Sequence, residues 1–195
     1  MQWKFRDINP DLAGRLAREL GQPQKLGEFL AARGFKTAAE VRAFVRADFK
    51  DLPPPSSLTD MDKAVDRLTQ AWKNGELTAV CGDYDADGLT ATALLAGGLK
   101  ALKHQIVTRI PHRLTDGYGL KPPLVEKMAA DGVKLAVTVD NGISAHEAVE
   151  AASALGLDII ITDHHRLPPE LPPAVAIINP HRDESWRLWP PAGVG

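Results

Sequence analysis

The sequence predicts an α/β protein in which a parallel sheet carries helices on both faces and follows a small helical N-terminal region. From Leu77 onward, short apolar segments alternate with helical ones, which favours a parallel sheet. Four of the five strand candidates are apolar on both faces, as strands buried between two helix layers are. Before residue 77, apolar residues recur at helical spacing. These observations together indicate the α/β class.

The N-terminal region contains signals for three short helices. Asn9-Pro10 is typical of a helix start, and Gly21 of its end. A second helical segment runs to Gly34. Thr37 and Glu40 have the spacing of a capping box ahead of a third helix.

The proline-rich stretch LPPPSS, at residues 52–57, interrupts this pattern and indicates a linker or turn. We therefore predict a helical region over residues 1–58 and an α/β domain over residues 59–195. The α/β domain is predicted to open with a helix near 60–74, which ends at Gly75.

The α/β domain is predicted to contain five strands, at 77–82, 104–110, 135–140, 157–163 and 174–179. Helices are predicted between most of them, near 89–103, 122–131 and 144–155. Ser144 and Glu147 have capping-box spacing at the start of the last helix.

Composition excludes several classes of protein. With 44% hydrophobic and 25% charged residues, the profile is that of a soluble globular protein. No apolar run approaches the roughly 18 residues of a membrane span, and the first ten residues lack the apolar core of a signal peptide. The single cysteine, Cys81, rules out an internal disulfide and is predicted to be buried in a strand. A reducing cytoplasm is the expected location.

The net charge of −2 does not by itself indicate a nucleic-acid partner. Residues 1–50 are mildly basic, with ten Lys/Arg against six Asp/Glu, and the remainder is acidic. Ordinary solvated helix faces account for this distribution.

Residues 83–88 read DYDADG, with three carboxylates at alternate positions and a glycine directly after them. The run matches the start of an EF-hand calcium loop. An EF-hand also requires a glutamate at its twelfth position, which here is Leu94, and a helix before the loop, where this chain has an apolar strand candidate. Both observations exclude the calcium loop.

Polar side chains follow four of the predicted strands. Because the carboxyl ends of parallel strands open on one crevice, we expect these side chains to converge at one edge of the sheet. They are Asp83, Asp85, Asp87, Asp140, Asn141, Asp163, His164, His165, Asn179 and His181.

So many carboxylates cannot all stay ionised at close range unless cations neutralise them. Carboxylate oxygens favour Mg²⁺ or Mn²⁺, and an added imidazole shifts the preference towards Mn²⁺. Two ions about 4 Å apart, bridged by a shared aspartate, would activate a water and stabilise the leaving oxygen of a phosphoester. Gly88 and Gly142 would let the backbone approach a phosphate closely.

Simpler interpretations stay open for each of these features. The DYDADG run could be a solvated acidic turn, Asp140 a helix cap, and residues 163–165 a polar loop. His104, His146 and His181 are expected to be surface or structural residues. Arg113, in PHRLTDGYG, fits either a phosphate-contacting loop or a plain turn.

The strings VCGDYDADGLTAT, IPHRLTDGYGL, TVDNGIS and ITDHH resemble the DHH phosphoesterase superfamily. Within it, they are similar to the bacterial single-strand-specific 5′-to-3′ DNA exonucleases. The resemblance covers roughly residues 77–195, and the helical front piece is compatible with the N-terminal region of those enzymes.

The resemblance implies roles for individual residues. Asp83 and Asp85 would belong to a first metal centre and Asp87 to a second, with Asp140 as the bridging ligand. His164 would bind metal, His165 would face the scissile phosphate, and Asp163 would orient the two histidines. Arg113, Asn141 and Gly142 are our candidates for substrate contact.

The implied reaction is hydrolysis of single-stranded DNA from its 5′ end with Mn²⁺ or Mg²⁺, in DNA repair and recombination. Single-strand-binding protein and a helicase are the expected partners. The family pattern has a further metal-binding aspartate and a second domain downstream. The ending Gly193-Val194-Gly195 therefore suggests the front portion of a longer protein. This portion alone is expected to have an incomplete active site. The alternatives are a phosphodiesterase of short oligonucleotides or cyclic dinucleotides, a manganese pyrophosphatase, and a non-catalytic DNA-binding scaffold.

Overall fold

The computed structural model describes residues 7–46 and 48–187, so the ending at 193–195 lies outside the described residues. The chain forms two compact units, divided after Leu52 at the start of the proline-rich stretch. No helix of the described ranges is both long and apolar enough to cross a membrane.

The first unit contains the three predicted helices: α1 (Pro10–Leu20), α2 (Gln24–Ala32) and α3 (Ala38–Arg46). The Asn9 side chain accepts hydrogen bonds from the first-turn N–H groups of α1, and Gly21 ends this helix in the left-handed conformation. Thr37 Oγ1 accepts the N–H of Glu40, whereas the Glu40 carboxylate accepts the N–H of Lys36. The predicted capping residues therefore act at the start of α3, but the N–H that donates to Glu40 belongs to Lys36 and not to Thr37.

The second unit begins with α4 (Met61–Asn74) and contains a five-stranded parallel sheet. The strands are β1 (Thr78–Cys81), β2 (Ile106–Arg109), β3 (Leu135–Val139), β4 (Asp158–Thr162) and β5 (Ala176–Ile178), in the spatial order β2-β1-β3-β4-β5. The connecting helices are α5 (Ala86–Ala101), α6 (Pro122–Ala130) and α7 (His146–Ala154). The predicted α/β class and parallel sheet are confirmed.

Helices cover both faces of the sheet, as predicted. Successive strand residues point to opposite faces: Ala79, Ala136 and Ile159 pack with α6 and α7, whereas Val80 and Val137 pack with the layer of α4 and α5. Cys81 is buried against α6, and this burial raises the pKa of its thiol to about 12, so the cysteine is a core residue, as predicted.

Two predicted helix starts are wrong. Helix α5 begins at Ala86 rather than near residue 89, because the Asp85 carboxylate accepts the N–H of Gly88 and caps the helix. Helix α7 begins at His146, and its preceding residue, Ala145, makes no side-chain cap, so Ser144 does not have the predicted capping role.

The strand order places a topological switch point between β1 and β3. From β1 the chain moves outward to β2 and then returns to β3 on the other side of β1. In open parallel sheets, the crevice outside the carboxyl ends of two such strands is the usual ligand site. Asp83 follows β1 and Asp140 follows β3, so both lie at this crevice.

The start of α5 packs tightly on the end of β1. A Cβ on Gly88 would lie 2.6–2.8 Å from the backbone of Asp83, and one on Gly82 would lie 1.9 Å from Thr92 Oγ1. Only glycine at these two positions allows the helix N-terminus this close to Asp83.

We predict that Gly88→Ala destabilises the protein by about 2 kcal/mol, because the added methyl group meets rigid backbone. Gly97→Ala is the matched control, since it lies in the same helix with open space around its Cβ position. The control should raise the free energy of unfolding by up to about 1 kcal/mol through helix propensity. Urea denaturation of both variants measures this, and equal stabilities would contradict the packing at Gly88.

Candidate metal centre

Three loops at the carboxyl edge of the sheet carry the predicted site residues. They follow β1, β3 and β4, which are neighbours in the sheet. The structure therefore brings Asp83, Asp140 and the 163–165 segment to one edge. His104, before β2, lies away from this edge, with its ring beside Trp72.

The carboxylate of Asp163 organises two of these loops. Its Oδ1 accepts the backbone N–H groups of His164 (2.8 Å) and His165 (3.1 Å) and lies 2.7 Å from Nδ1 of His165. Its other oxygen accepts the N–H of Ile143, in the loop after β3 (3.0 Å). One buried carboxylate thus joins both loops and orients the His165 ring, which is the position that the orienting role predicted for Asp163 requires.

The pairing of His165 with Asp163 also sets the ring's protonation. Burial lowers the pKa of His165, but the hydrogen bond and negative charge of Asp163, with the charges of Asp140 and Asp85, outweigh it and raise the pKa above its ordinary value. Since Nδ1 faces Asp163, Nε2 is left for another group, and half of the side chain is exposed.

Asp140 occupies a backbone conformation that non-glycine residues seldom adopt. Its φ is +62°, and two residues later Gly142 has a φ of +109°. A Cβ on Gly142 would lie 2.7 Å from Thr138 Oγ1. The sharp reversal after β3 directs the Asp140 carboxylate towards the loop after β4, and strain of this kind is characteristic of functional sites.

The carboxylate of Asp140 meets His164 without a regular hydrogen bond. Oδ1 of Asp140 lies 2.9 Å from Nε2 of His164, yet this buried oxygen has no aligned donor among the described residues. Two ligand atoms on neighbouring positions of an octahedral cation, each about 2.1 Å from it, would be about 3.0 Å apart. The separation fits two ligands of one divalent ion, and it equals that of an ordinary Asp–His ion pair.

Asp140, His164 and His165 can each direct one ligand atom into a group in which all atoms lie within 4.8 Å of one another. In the described parts of the chain, this is the only such group of at least three His, Cys, Asp or Glu residues. Asp140 and His164 offer a carboxylate and an imidazole, which suit Mn²⁺, and His165 lies beside them with its Nδ1 held by Asp163.

The three carboxylates of the DYDADG run, which lie near this group, differ in how far they are buried. Asp83 is 1% exposed, and its Oδ1 lacks a hydrogen-bond partner within the described residues. Asp85 is exposed and caps α5, and Asp87 is half-buried in the first turn of that helix. Neither these two nor Asp83 enters the 4.8 Å group.

Electrostatics confirm that negative charge accumulates here. Burial raises the pKa of Asp140, the charge of Asp85 raises it further, and only His164 and His165 act in the other direction. Orphaned buried oxygens on Asp83 and Asp140 are the expected features of a site built for a cation. The residues present therefore fit a divalent metal ion.

Asn141 lies below the surface of the site. It is buried, and its amide donates to the carbonyl oxygens of Cys81 (3.1 Å) and Val139 (2.9 Å), which ties the ends of β1 and β3 together. Asn179, after β5, is also buried, and its amide donates to the carbonyl oxygen of His165 (2.9 Å). Both amides support the loops of the site from beneath.

Tyr118 was not among the residues singled out from the sequence. Its hydroxyl donates to the carbonyl oxygen of Asp140 (3.3 Å), and its ring lies 6.3 Å from that of His165. Burial raises the pKa of Tyr118, and the carboxylates of Asp163, Asp83, Asp140 and Asp85 raise it further. The tyrosine is part of the GYG string between β2 and α6, and the only sequence signal was its place between two glycines.

Arg113 is exposed in the same loop, with its guanidinium 5.2 Å from the centre of the Tyr84 ring. Its position near DYDADG is compatible with contact to a phosphate. His146 is the first residue of α7, with Nε2 3.0 Å from the carbonyl oxygen of Glu170, and His181 is exposed after β5. Neither histidine belongs to the 4.8 Å group.

Comparison with known families agrees with this site. Residues 78–195 match the sequence model of the DHH family, N-terminal domain, and the chain belongs to the DHH family.

Its curated relatives include the single-stranded-DNA-specific exonuclease RecJ of Escherichia coli strain K12, which is 43% identical over the whole of this chain. RecJ of Bacillus subtilis strain 168 is 37% identical over 92% of the chain. The resemblance that the four strings predicted is confirmed. The chain spans 33% and 23% of the length of these two proteins.

Two solved structures share the fold. A crystal structure of exonuclease RecJ bound to manganese superposes with a TM-score of 0.67 at 36% identity, covering 74% of this chain and 36% of that one. RecJ of Thermus thermophilus in complex with Mn²⁺ has a TM-score of 0.64 at 27% identity, covering 96% and 26%.

We predict that Asp163→Asn lowers the free energy of unfolding by about 3 kcal/mol, because an amide cannot accept all the N–H groups that now converge on the carboxylate. Asp131→Asn is the control, since Asp131 makes an exposed ion pair with Arg109, worth at most about 1 kcal/mol. Chemical denaturation at pH 7 measures both.

The cost of Asp163→Asn should also depend on pH. A raised pKa means that protonated His165 favours the folded state, an effect that is complete below the ordinary imidazole pKa of about 6.5 and lost as the pH rises through the raised value. Denaturation between about pH 5.5 and 8.5 should therefore show a larger difference at the acidic end. A difference that grows with pH would contradict the pairing.

Proposed function

We propose that the chain forms the metal-binding part of a single-strand-specific 5′-to-3′ DNA exonuclease that hydrolyses phosphodiester bonds with two Mn²⁺ or Mg²⁺ ions. The observation that carries this proposal is the unaligned 2.9 Å approach of Asp140 Oδ1 and His164 Nε2 at the switch point of the sheet. The similarity to RecJ exonucleases and to manganese-bound RecJ structures supports it.

The metal ligands in this proposal come from three strand ends. Asp83 and Asp85 would hold the first ion and Asp87 the second, Asp140 would be the ligand shared by both, and His164 would be a further metal ligand. The buried orphan oxygens of Asp83 and Asp140 support this assignment. When bound, the ions supply an activated water and offset the charge of the phosphate.

The remaining residues position the substrate. His165 directs Nε2 towards a phosphate oxygen while Asp163 fixes its ring through Nδ1. Arg113 contributes positive charge at the mouth of the site. Gly142, predicted as a substrate contact, allows the tight turn after β3 to pack against Thr138. Asn141, predicted as a substrate contact, acts from below by keeping Asp140 aligned with the end of β1.

The cellular setting follows from the same proposal. Single-stranded DNA is the substrate, in DNA repair and recombination in the cytoplasm, with single-strand-binding protein and a helicase as partners.

We predict that Mn²⁺ stabilises this chain and that Asp140→Asn abolishes the effect. At a metal concentration about one hundred times the dissociation constant, the gain should be about 2.7 kcal/mol. The neutral amide of the variant replaces a buried carboxylate whose Oδ1 has no hydrogen-bond donor. The variant without metal should therefore be at least as stable as the wild type. Thermal melts with and without Mn²⁺ measure both, and equal stabilisation of the variant would exclude Asp140 as a ligand.

We predict that His165→Gln lowers the rate of DNA hydrolysis by at least about 100-fold in the whole protein, because the group facing the phosphate is lost. His181→Gln is the control, since that imidazole lies outside the metal group.

The choice of substrate separates the proposed function from its alternatives. Substrates labelled at the 5′ or 3′ end show the direction of digestion, and dinucleotide and pyrophosphate test the alternative phosphoesterases. DNA binding without metal uptake or hydrolysis would favour the non-catalytic scaffold.

A further inference from the structure

The loop before α4 (residues 57–60) is hydrogen-bonded to the segment after β5 (residues 179–186), at positions at least 122 residues apart in the sequence. Thr59 donates its N–H (3.0 Å) and its hydroxyl (2.6 Å) to the carboxylate of Asp183. Because these bonds are long-range, local chain geometry does not impose them. The two segments therefore hold each other in place within the second unit.

The carboxylate of Asp60 lies at the centre of this contact. One oxygen accepts from Arg182 Nη1 (2.7 Å) and from the N–H of Ile177 (3.3 Å), and the other pairs with Lys63 (2.6 Å). Arg182 Nη1 also donates to the carbonyl oxygen of Ile177. Burial raises the pKa of Asp60, but these hydrogen bonds and the charge of Arg182 outweigh burial and lower the pKa to about 2. Asp60 is therefore ionised at neutral pH, with both of its oxygens bound.

Asp60 does not have the usual role of an aspartate at its position. It directly precedes α4, where an aspartate ordinarily accepts the N–H groups of the first helical turn. Its side chain accepts none of these groups among the described residues, and its φ is +64°, which non-glycine residues seldom adopt. The carboxylate crosses to Arg182 and the first turn of the segment after β5 instead. The contact therefore serves that segment rather than the end of the helix.

The segment after β5 has little regular structure of its own. It forms two three-residue 3₁₀ turns, Pro180–Arg182 and Glu184–Trp186, which are too short to fix its position on the sheet. The indole N–H of Trp186, which is buried, donates to Ser57 Oγ (2.9 Å). The position of the segment therefore depends on side-chain bonds to the loop before α4.

The first residue of this segment, Asn179, connects it to the metal site. Asn179 is fully buried, and both ends of its amide are bonded. Nδ2 donates to the carbonyl oxygen of His165 (2.9 Å), and Oδ1 accepts the N–H of His181 (2.9 Å) in the first 3₁₀ turn. A shift of this turn would therefore move Asn179 and, with it, the backbone of His165.

We propose that Asp60 and Arg182 are positioning residues for the metal site. They hold the segment after β5, whose Asn179 in turn supports the loop after β4. Neither residue belongs to the 4.8 Å group, so both act by placing this loop before an ion binds. The inference rests on the proposed function, since it concerns the same metal centre.

The test compares two variants that remove the contact with one that removes a similar contact elsewhere. Arg182→Met removes the bonds of the guanidinium and keeps most of the side-chain length. Asp60→Gly removes the carboxylate, and glycine adopts the positive φ without strain. Arg67→Met is the control, because Arg67 is also largely buried and pairs with two carboxylates. Those partners, Glu76 and Asp158, lie at the amino ends of β1 and β4, on the opposite edge of the sheet.

The first measurement is a calorimetric titration of Mn²⁺ into the whole protein. We expect Arg182→Met and Asp60→Gly each to weaken binding about tenfold, and Arg67→Met to stay within about twofold of the wild type. Asp60→Asn keeps an oxygen that can accept from Arg182 and should recover most of the lost affinity. Unchanged affinity in the first two variants, or an equal loss in the control, would overturn the proposal.

The second measurement tests the route through Asn179. In a protein that already carries Asn179→Ala, Arg182→Met should cause no further loss of Mn²⁺ affinity, because the connection to His165 is already broken. A full additional loss of about tenfold would show that Arg182 acts by another route and would overturn the proposal.

The third measurement needs no metal. Hydrogen exchange of a peptide that covers residues 163–166 reports on the backbone N–H groups of the loop after β4. Exchange should be at least about tenfold faster in Arg182→Met and Asp60→Gly, and unchanged in Arg67→Met. If urea denaturation shows that only the control folds, the contact is a requirement for folding, and the proposal is overturned.

Failure of the proposed function gives a different result. Faster exchange in Arg182→Met and Asp60→Gly, in a protein that binds no Mn²⁺, would support the positioning contact and refute the metal centre. Mn²⁺ binding with unchanged affinity and unchanged exchange in both variants would support the metal centre and overturn the positioning contact.

Discussion

The site depends above all on the carboxylate of Asp163. It accepts N–H groups from the loop after β4 and from Ile143 in the loop after β3, so it holds two strand ends in one arrangement. The same carboxylate pairs with Nδ1 of His165 and thereby decides which way that ring faces. Because all its hydrogen bonds are internal and the residue is buried, solvent cannot replace it. The relative placement of the loops after β3 and β4, which carry Asp140 and His164, therefore depends on this residue.

Around that carboxylate, one backbone conformation and the ionised state of the buried carboxylates are energetically unfavourable. Asp140 adopts a left-handed conformation, and burial and the charge of Asp85 disfavour its ionised form. Asp83 and Asp140 carry buried oxygens without hydrogen-bond donors in the described chain. Glycines where α5 meets β1 allow the close packing of that helix on the sheet. The buried core on both faces of the parallel sheet stabilises the fold and offsets these costs. A cation bound at the crevice would relieve most of them, which is why the geometry favours metal chemistry over a purely structural cluster.

Much of this arrangement could be predicted from the sequence, because parallel strands gather at one edge whatever follows them. The strands, the two helix layers and the convergence of Asp83, Asp140 and Asp163 all depend on local patterns. The predicted start of α5 was three residues too late because Asp85 caps this helix. In the sequence, Asp85 lies between two other aspartates, so its capping role could not be told apart from metal binding. The burial of Asn141 and the position of Tyr118 could not be predicted, since both depend on how the loop before α6 passes over β3, with Gly119 close to Asn141.

The most direct test of the central claim is an anomalous diffraction map from crystals of this protein soaked in Mn²⁺ and measured at the manganese edge. We predict a peak within bonding distance of both Asp140 Oδ1 and His164 Nε2, at about 2.1–2.2 Å from each. A peak elsewhere on the chain, or none at a Mn²⁺ concentration that shifts the melting temperature, would show that these strand ends do not form the metal site.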